Sequence, residues 1–532
     1  MNKYFMLCVM AASAAQVTAQ TEFGNAAKQG HEGAVNELFN IRYHSINPTR
    51  LAYNRIQTTG EAFVSYDLTR GDFHDAGTAG NVNNINVQLG GLHHFDRVDV
   101  SGYIRYINTS YKNQVWNSTL FLIPKNPFVL ADSVASNGNA ETFAMGAAFA
   151  YRFTKNIKGG LGAGLTVGSM SDQTDPRPKT NTSRFNITAG ADATISSAWV
   201  LGLAARLELL SSNLSYTVVN PLINHRYFLL KGMGDYYRRS SSEDSGYQRD
   251  YKGTTLSGEL SVTFKPSGSP FQNIMLLKAS AGNEKATDGG SAYTFKGGNY
   301  YFSCLNVKDR LMFSHNERML HNIILGAEIA NGNSDWYDQK KLTDTQHGNI
   351  SYYEVLSKTR IQKQKNMAVT AEYRFDRLTD GQCDFYASLL AALTNNTLKH
   401  YNDNGTQKQQ WTNLAFNLTV GKHFIIGNGI LSAQLITGYI MPMKDRQFAT
   451  GTNVTGSDDI TSIYVTRQFE YASAKRICFG GSADYCFPVA KDVRLGLFGK
   501  ALSTSYKDDA QYYADFKSTS LTSGEFGVYV NF

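Results

Sequence analysis

After its N-terminal leader the 532-residue chain has no run approaching eighteen apolar residues, so no helix of it is expected to cross a membrane. Proline is scarce, at 10 residues, and no Pro- or Ser-rich linker divides the chain. That argues for one continuous architecture where a soluble chain of this length would split into domains. Cysteine is scarce too. Cys8 falls in the leader, and Cys304, Cys383, Cys478 and Cys486 are too few and too scattered for a disulfide framework. Cys478 and Cys486 share one expected strand and cannot bond without breaking it. No CxxC pair or His/Cys cluster has zinc spacing, and no cofactor is expected. The net charge of +7 is spread along the chain, unlike the concentrated basic face of a nucleic-acid binder. A Gly-x-Ser-x-Gly elbow is missing, and the histidines, such as His74, His225, His347 and His400, fall mainly in loops and turns. The chain is therefore expected not to be an enzyme. An outer-membrane lipid-modifying activity stays open as an alternative, because a triad is defined in space and not by spacing.

What is present begins with a basic start, Met1-Asn2-Lys3, an apolar run over 4–17 and the small-residue motif Val17-Thr18-Ala19. These are the parts of a secretory signal peptide over 1–19, cleaved after Ala19. Cys8 lies too early in it for lipoprotein acylation. At the other end Phe526, Val528, Val530 and Phe532 alternate with Glu525, Gly527, Tyr529 and Asn531. Successive side chains of a strand face opposite sides, so this is a strand with one apolar face. It resembles the C-terminal strand of bacterial outer-membrane barrels, and the resemblance makes Phe532 the signal read by the barrel-assembly machinery.

The same two-residue period recurs throughout. Leu256, Leu260, Val262 and Phe264 alternate with Thr255, Ser257, Glu259 and Ser261; Leu414, Phe416, Leu418 and Val420 alternate with Asn413, Asn417 and Thr419. A soluble sandwich would alternate as well. The connections separate the two: short turns at 95–97, 154–157, 196–197, 266–270, 377–382 and 488–492 interleave with long polar stretches at about 111–141, 215–252, 332–365 and 444–472. That is the pattern of a closed antiparallel transmembrane β-barrel over 61–532, with short periplasmic turns and long extracellular loops. Counting gives about eighteen strands, or sixteen if the weak segments near 61–69 and 299–311 are discounted. The mean hydropathy of -0.32 fits, since only alternate strand residues meet lipid. Abundant Tyr (31) and Phe (30) fit aromatic girdles at the two interfaces.

Residues 20–60 hold a short possible helix over 34–41 and then Asn47-Pro48-Thr49. The chain resembles uncharacterised Bacteroidota-type outer-membrane barrels, many of which carry an Asn-Pro-Ala-like stretch after the signal; Thr49 replaces the Ala here. More distantly it resembles fatty-acid-transporter and porin barrels. The former implies that 20–55 forms a hatch in the lumen; a periplasmic tail is the alternative.

On the polar parity lie Arg105, Arg152, Asp192, Arg206, Glu208, Glu259, Glu372, Arg374, Asp484, Arg494, Lys500 and Glu525. At mid-depth on the lipid face an Arg or Lys would cost about 2–4 kcal/mol, which puts these charges in the lumen. They would either set a transverse field in a pore or brace the barrel as a salt-bridge lattice. The mixed Tyr/Arg stretch 234–251 is a candidate binding loop, and His93-His94 beside a turn reads as an interface pair. The expected function is outer-membrane passage of a small polar or amphipathic solute. The rival is a scaffold barrel of a larger complex. The expected partners are outer-membrane lipid and lipopolysaccharide, the assembly machinery, and a further outer-membrane protein, with no nucleic acid.

Overall fold

The computed structural model describes residues 45–53, 59–123, 125–242, 246–289, 294–315, 318–346, 348–379, 382–403, 405–443, 446–449 and 459–532. The leader, its cleavage point and the helix expected over 34–41 lie outside them.

The strands open with β1 (Thr59–Gly71), β2 (Asn81–His94) and β3 (Val98–Gln114), then the two-residue β4 (Leu130–Ala131). β5 (Ser136–Arg152), β6 (Ile157–Asp172), β7 (Pro178–Thr194) and β8 (Trp199–Thr217) follow, then a loop hairpin of β9 (Arg226–Gly232) and β10 (Asp235–Ser240). Next come β11 (Gly246–Phe264), β12 (Phe271–Asp288), β13 (Phe295–His315), β14 (Met319–Asp344), β15 (Ile350–Thr379), β16 (Gln382–Asn402), β17 (Gly405–Ile426) and β18 (Gly429–Pro442). The short β19 (Gln447–Ala449) and the helix α1 (Asp459–Ser473) precede β20 (Arg476–Ala490), β21 (Val493–Tyr506) and β22 (Ser520–Asn531).

Setting aside β4, β9, β10 and β19, eighteen strands pair antiparallel in chain order, and β22 closes onto β1 with Ala62 opposite Val530. Closure leaves the ring no open edge, which is what hydrocarbon demands of a strand structure. The weak segments near 61–69 and 299–311 are the full strands β1 and β13, so sixteen is excluded. The start of β1 and the C-terminus share the short-turn end: Gly60 N donates to Phe532 O at 2.6 Å, and Phe532 N to Gly60 O at 2.9 Å. The barrel is an outer-membrane protein with that end towards the periplasm.

Alternation sorts the two faces as the period requires. Leu260 and Phe416 are 42% and 40% exposed on the outer wall, while their neighbours Glu259, Ser261 and Thr419 are buried inside. Phe95, Phe153, Trp199, Phe313, Phe424 and Phe532 stand exposed near the periplasmic end, where amphipathic rings favour the interface.

Four expectations are corrected. The stretch 332–365 is not a loop. β14 and β15, of 26 and 30 residues, run through it as a ribbon well past the 9–11 residues a crossing needs. The stretch 215–252 is mostly strand, and 444–472 contains α1. The stretch 111–141 turns inward, as described below. Its inward course was hidden because polarity alone does not separate a loop that faces water outside from one that faces a polar lumen.

An arginine placed on the outer wall tests the sidedness. Phe416→Arg should destabilise the barrel by about 2–4 kcal/mol and Leu260→Arg by the same or less. Urea-dependent folding into lipid vesicles would measure both; no change in either would place these side chains off the lipid face.

Candidate functional site

Residues 45–50 lie in the lumen. Asn47 Oδ1 accepts from Thr49 N at 3.1 Å and Thr49 Oγ1 at 2.7 Å, and Pro48 opens a 3-10 turn over Pro48–Tyr53. An Asn cap followed by Pro is how sequence starts a helical turn. The same Asn47 donates through Nδ2 to Asp192 Oδ1 at 2.7 Å. Glu259 accepts from Ser45 Oγ and, at 2.8 Å, from Ile46 N. Arg50 donates to Thr263 Oγ1 at 3.2 Å and to Ser261 Oγ. The wall beside this tether is glycine because it must be thin. A Cβ on Gly190 would overlap Asn47 Oδ1, and one on Gly160 would press on Pro48 Cβ at 3.0 Å. Two carboxylates read only as lumen charges, Asp192 and Glu259, are thus the anchor of the chain's own N-terminal segment.

A second element enters from the outer end. The segment between β3 and β5 crosses the lumen. Ile123 N and Asn126 Nδ2 each donate at 2.7 Å to the Glu284 carboxylate on β12. Lys125 Nζ donates to Asn366 Oδ1 on β15 and, at 3.2 Å, to Asn396 Oδ1 on β16, while Gln364 Nε2 donates to Lys125 O at 2.7 Å. β3 is the third strand of the ring and β15 the twelfth, so this contact spans half of the eighteen. β4 pairs with β9, and Phe128, Leu130, Tyr216, Tyr227, Leu229 and Tyr251 form one buried apolar cluster under it.

The other half of the mouth is filled by α1. Its Phe469 meets Trp411 of β17 edge-on at 5.6 Å, Asn413 Nδ2 donates to Ala472 O at 2.9 Å, and Tyr506 OH donates to Glu470 Oε1 at 2.8 Å. The two halves meet along a narrow seam. Trp116 lies 5.2 Å from the Phe228 ring and 5.1 Å from Tyr464, and Arg467 Nη2 is 2.8 Å from His74 Nε2. Burial, with help from the Arg467 guanidinium, pushes His74 down to about 4.

The remaining expected charges face the lumen but form pairs along the wall. Arg152 Nη2 donates to Asp99 Oδ1 at 2.8 Å on the periplasmic rim, where His94 Nδ1 also lies 2.6 Å from Asp99. Arg206 Nε donates to Thr188 Oγ1 at 2.9 Å, and Glu208 accepts from Arg184 at 3.4 Å. Glu372 accepts from Ser388 Oγ at 3.0 Å. Arg374 pairs with Asp376 at 2.7 Å and lies 4.4 Å above the Tyr386 ring. Asp484 accepts from Tyr529 OH at 2.8 Å. Arg494 stands in register with Asn531, and Lys500 between Ser482 and Glu525. Most of these pairs join one strand to itself or to its neighbour, and Tyr529 of β22 reaches across β21 to Asp484 of β20. Parity does not hold for every acid: Asp309 faces outward between Met275 and Leu325, bonded to Asn273.

The stretch 234–251 is divided: Tyr237, Arg238 and Gln248 are exposed, while its end turns into the barrel. Tyr251 is fully buried and Arg249 pairs with Asp288 at 2.5 and 2.7 Å inside the barrel. Sequence reasoning missed Ser45, Lys125, Glu284, Asn366, Asn396 and Trp411. One signal was available: Pro124-Lys125-Asn126-Pro127 holds two of the ten prolines, marking a stiff, shaped loop.

A protein-family model described as "Family of unknown function (DUF6850)" matches residues 48–532. No curated protein matches. Among solved structures, the copper transporter OprC matches at TM-score 0.39 and 10% identity, over 89% of this chain and 82% of that one. The RagAB peptide importer in its "closed-closed" state matches at 0.44 and 6%, over 90% and 87%. The ferric yersiniabactin uptake receptor FyuA from Yersinia pestis matches at 0.39 and 7%, over 90% and 80%.

Two measurements test this geometry. With the native cysteines replaced, the buried position 46 as Ile46→Cys should react with a maleimide at least about tenfold faster once Asp192→Asn and Glu259→Gln remove two charged acceptors. An unchanged rate would detach the tether from both. For His74, whose folded value lies below its ordinary 6.5, the stabilisation is full above about pH 6.5 and is lost as pH falls towards 4. The thermal midpoint should therefore drop over that window in the wild type and drop less in His74→Gln. Parallel curves would remove His74 from the seam.

Proposed function

We propose that this chain, which belongs to the DUF6850 family of unknown function, is a gated outer-membrane conduit for a small polar or amphipathic solute, at rest in a closed state. The observation that carries the reading is the Lys125 segment, which reaches from β3 to the far wall at β15 and β16. A lumen with a polar wall and a crossing segment is suited to passage under control, and less to free diffusion. The crossing segment and the N-terminal tether hold different parts of the wall, Glu284, Asn366 and Asn396 against Asp192 and Glu259. Each can therefore move without breaking the bonds of the other. Wall pairs such as Arg152–Asp99 and Arg374–Asp376 involve neither element and persist when either one moves.

A scaffold barrel is the second reading, favoured by the β14–β15 ribbon. The β13–β14 pairing ends at Asn299 and Asp335, and the β15–β16 pairing begins at Gln362 and His400. Beyond those points the ribbon's outer edges offer backbone groups to an added strand of a partner.

Planar-bilayer recording separates the two. The wild-type barrel should conduct little, and Lys125→Ala with Glu284→Gln should raise the open-step frequency at least severalfold. Silence from that variant, with folding verified by heat-modifiable gel migration, would count against a conduit and leave the scaffold.

A further inference from the structure

The outward faces of β15, β16 and β17 carry Lys363, Lys365, Lys399 and Lys408. Three of these share one row: Lys363 is in register with Lys399, and Lys399 with Lys408. The opposite parity, Gln362, Gln364, His400, Gln407 and Gln409, is buried in the barrel, which fixes the lysines as outward. Lys363, Lys365 and Lys399 are exposed, and Lys408 is half-buried, donating to Gln447 Oε1 at 3.2 Å.

Register partners lie about 5 Å apart, and like charges directly opposite one another destabilise a sheet. The outward positions between them on β16 and β17, Asn395, Thr397, Thr406 and Gln410, supply no carboxylate. Asp335 of β14 is held by Lys358 at 3.1 Å and by Arg360, and Asp403 stands at the tip of the β16–β17 turn, four residues beyond Lys399. A counter-charge from outside the chain removes the repulsion.

The height of the row says which one. On β15 the outward residues immediately below Lys365 are Met367, Val369, Ala371, Tyr373 and Phe375, a nine-residue span that matches a strand's crossing of hydrocarbon. Leu393 and Leu389 on β16 and Phe416 and Leu418 on β17 continue the same exposed apolar band. The lysines therefore stand at and just above its outer edge, where outer-leaflet headgroup phosphates lie.

We infer that this lysine row binds the phosphorylated headgroup of an outer-leaflet glycolipid, whose acyl chains lie along Met367, Val369 and Leu393. Lysine serves phosphate as a flexible point charge, and a phosphate monoester brings between one and two negative charges. Three ammonium groups in one row bracket such a group from adjacent strands, and Lys365 approaches it from the membrane side.

The test uses the purified barrel in detergent, titrated with diphosphoryl lipid A and read by native mass spectrometry. Binding should weaken at least tenfold in Lys363→Ala/Lys365→Ala/Lys399→Ala/Lys408→Ala, and should persist when the same four become Arg. The pair Lys399→Ala/Lys408→Ala should show an intermediate loss, which guards against misfolding of the quadruple variant. Phosphatidylglycerol should bind more weakly, and inorganic phosphate should not compete. Equal binding by wild type and quadruple variant overturns the assignment, and so does displacement by inorganic phosphate at matched concentration. The inference needs only the outer-membrane placement and stands apart from the conductance experiment.

Discussion

Every backbone N–H and C=O inside hydrocarbon must find a partner within the protein, and in this chain the pairing of β22 with β1 completes that requirement. Closure makes each strand face lipid on one side and the lumen on the other, so the two-residue period becomes compulsory. From that follow the exposed rows of Leu, Ile and Phe outside and the buried Glu, Asp, Ser and Gln inside. The interior of this protein is consequently a polar surface. It is covered by further pieces of the same chain, with apolar packing confined to clusters such as the one around Phe128 and Tyr251.

How those pieces attach explains the local sequence. Where the tether lies against β6 and β7, the wall is glycine, and Glu259 and Asp192 accept from Ile46 N and the Asn47 amide. The outer segment is held differently, by a hydrogen-bonded lysine reaching two asparagines and by aromatic packing around Phe128 and Tyr251. Hydrogen bonds to charged groups contribute about 1.5–3 kcal/mol each, so both elements are held firmly but reversibly compared with the barrel itself.

The barrel was readable because its signals are periodic and many times repeated: strand after strand, residues such as Leu256 and Leu260 alternate with Ser257 and Glu259. The short turns were readable because their positions punctuate that period. The cost of a charge in lipid assigns Asp192, Glu259 and Glu372 to the inward parity, and all three are buried. What each touches was not legible, since Glu259 meets Ser45 and Ile46 over two hundred residues away in sequence. The inward turn of 111–141 and the ribbon of 332–365 were missed for related reasons. Polar composition marks a segment as outside the hydrocarbon, and says neither which polar compartment it occupies nor whether it is extended. Asp309 shows the limit of parity from the other side, an outward acid made tolerable by the Asn273 amide beside it.

The crossing of the lumen is tested most directly by cross-linking in the intact outer membrane. With the native cysteines replaced, K125C and N366C should be joined by a short bifunctional maleimide, while K125C paired with an outward position such as T397C should not. Failure of the first pair to link, together with free labelling of K125C from outside the cell, would contradict a segment that spans the barrel.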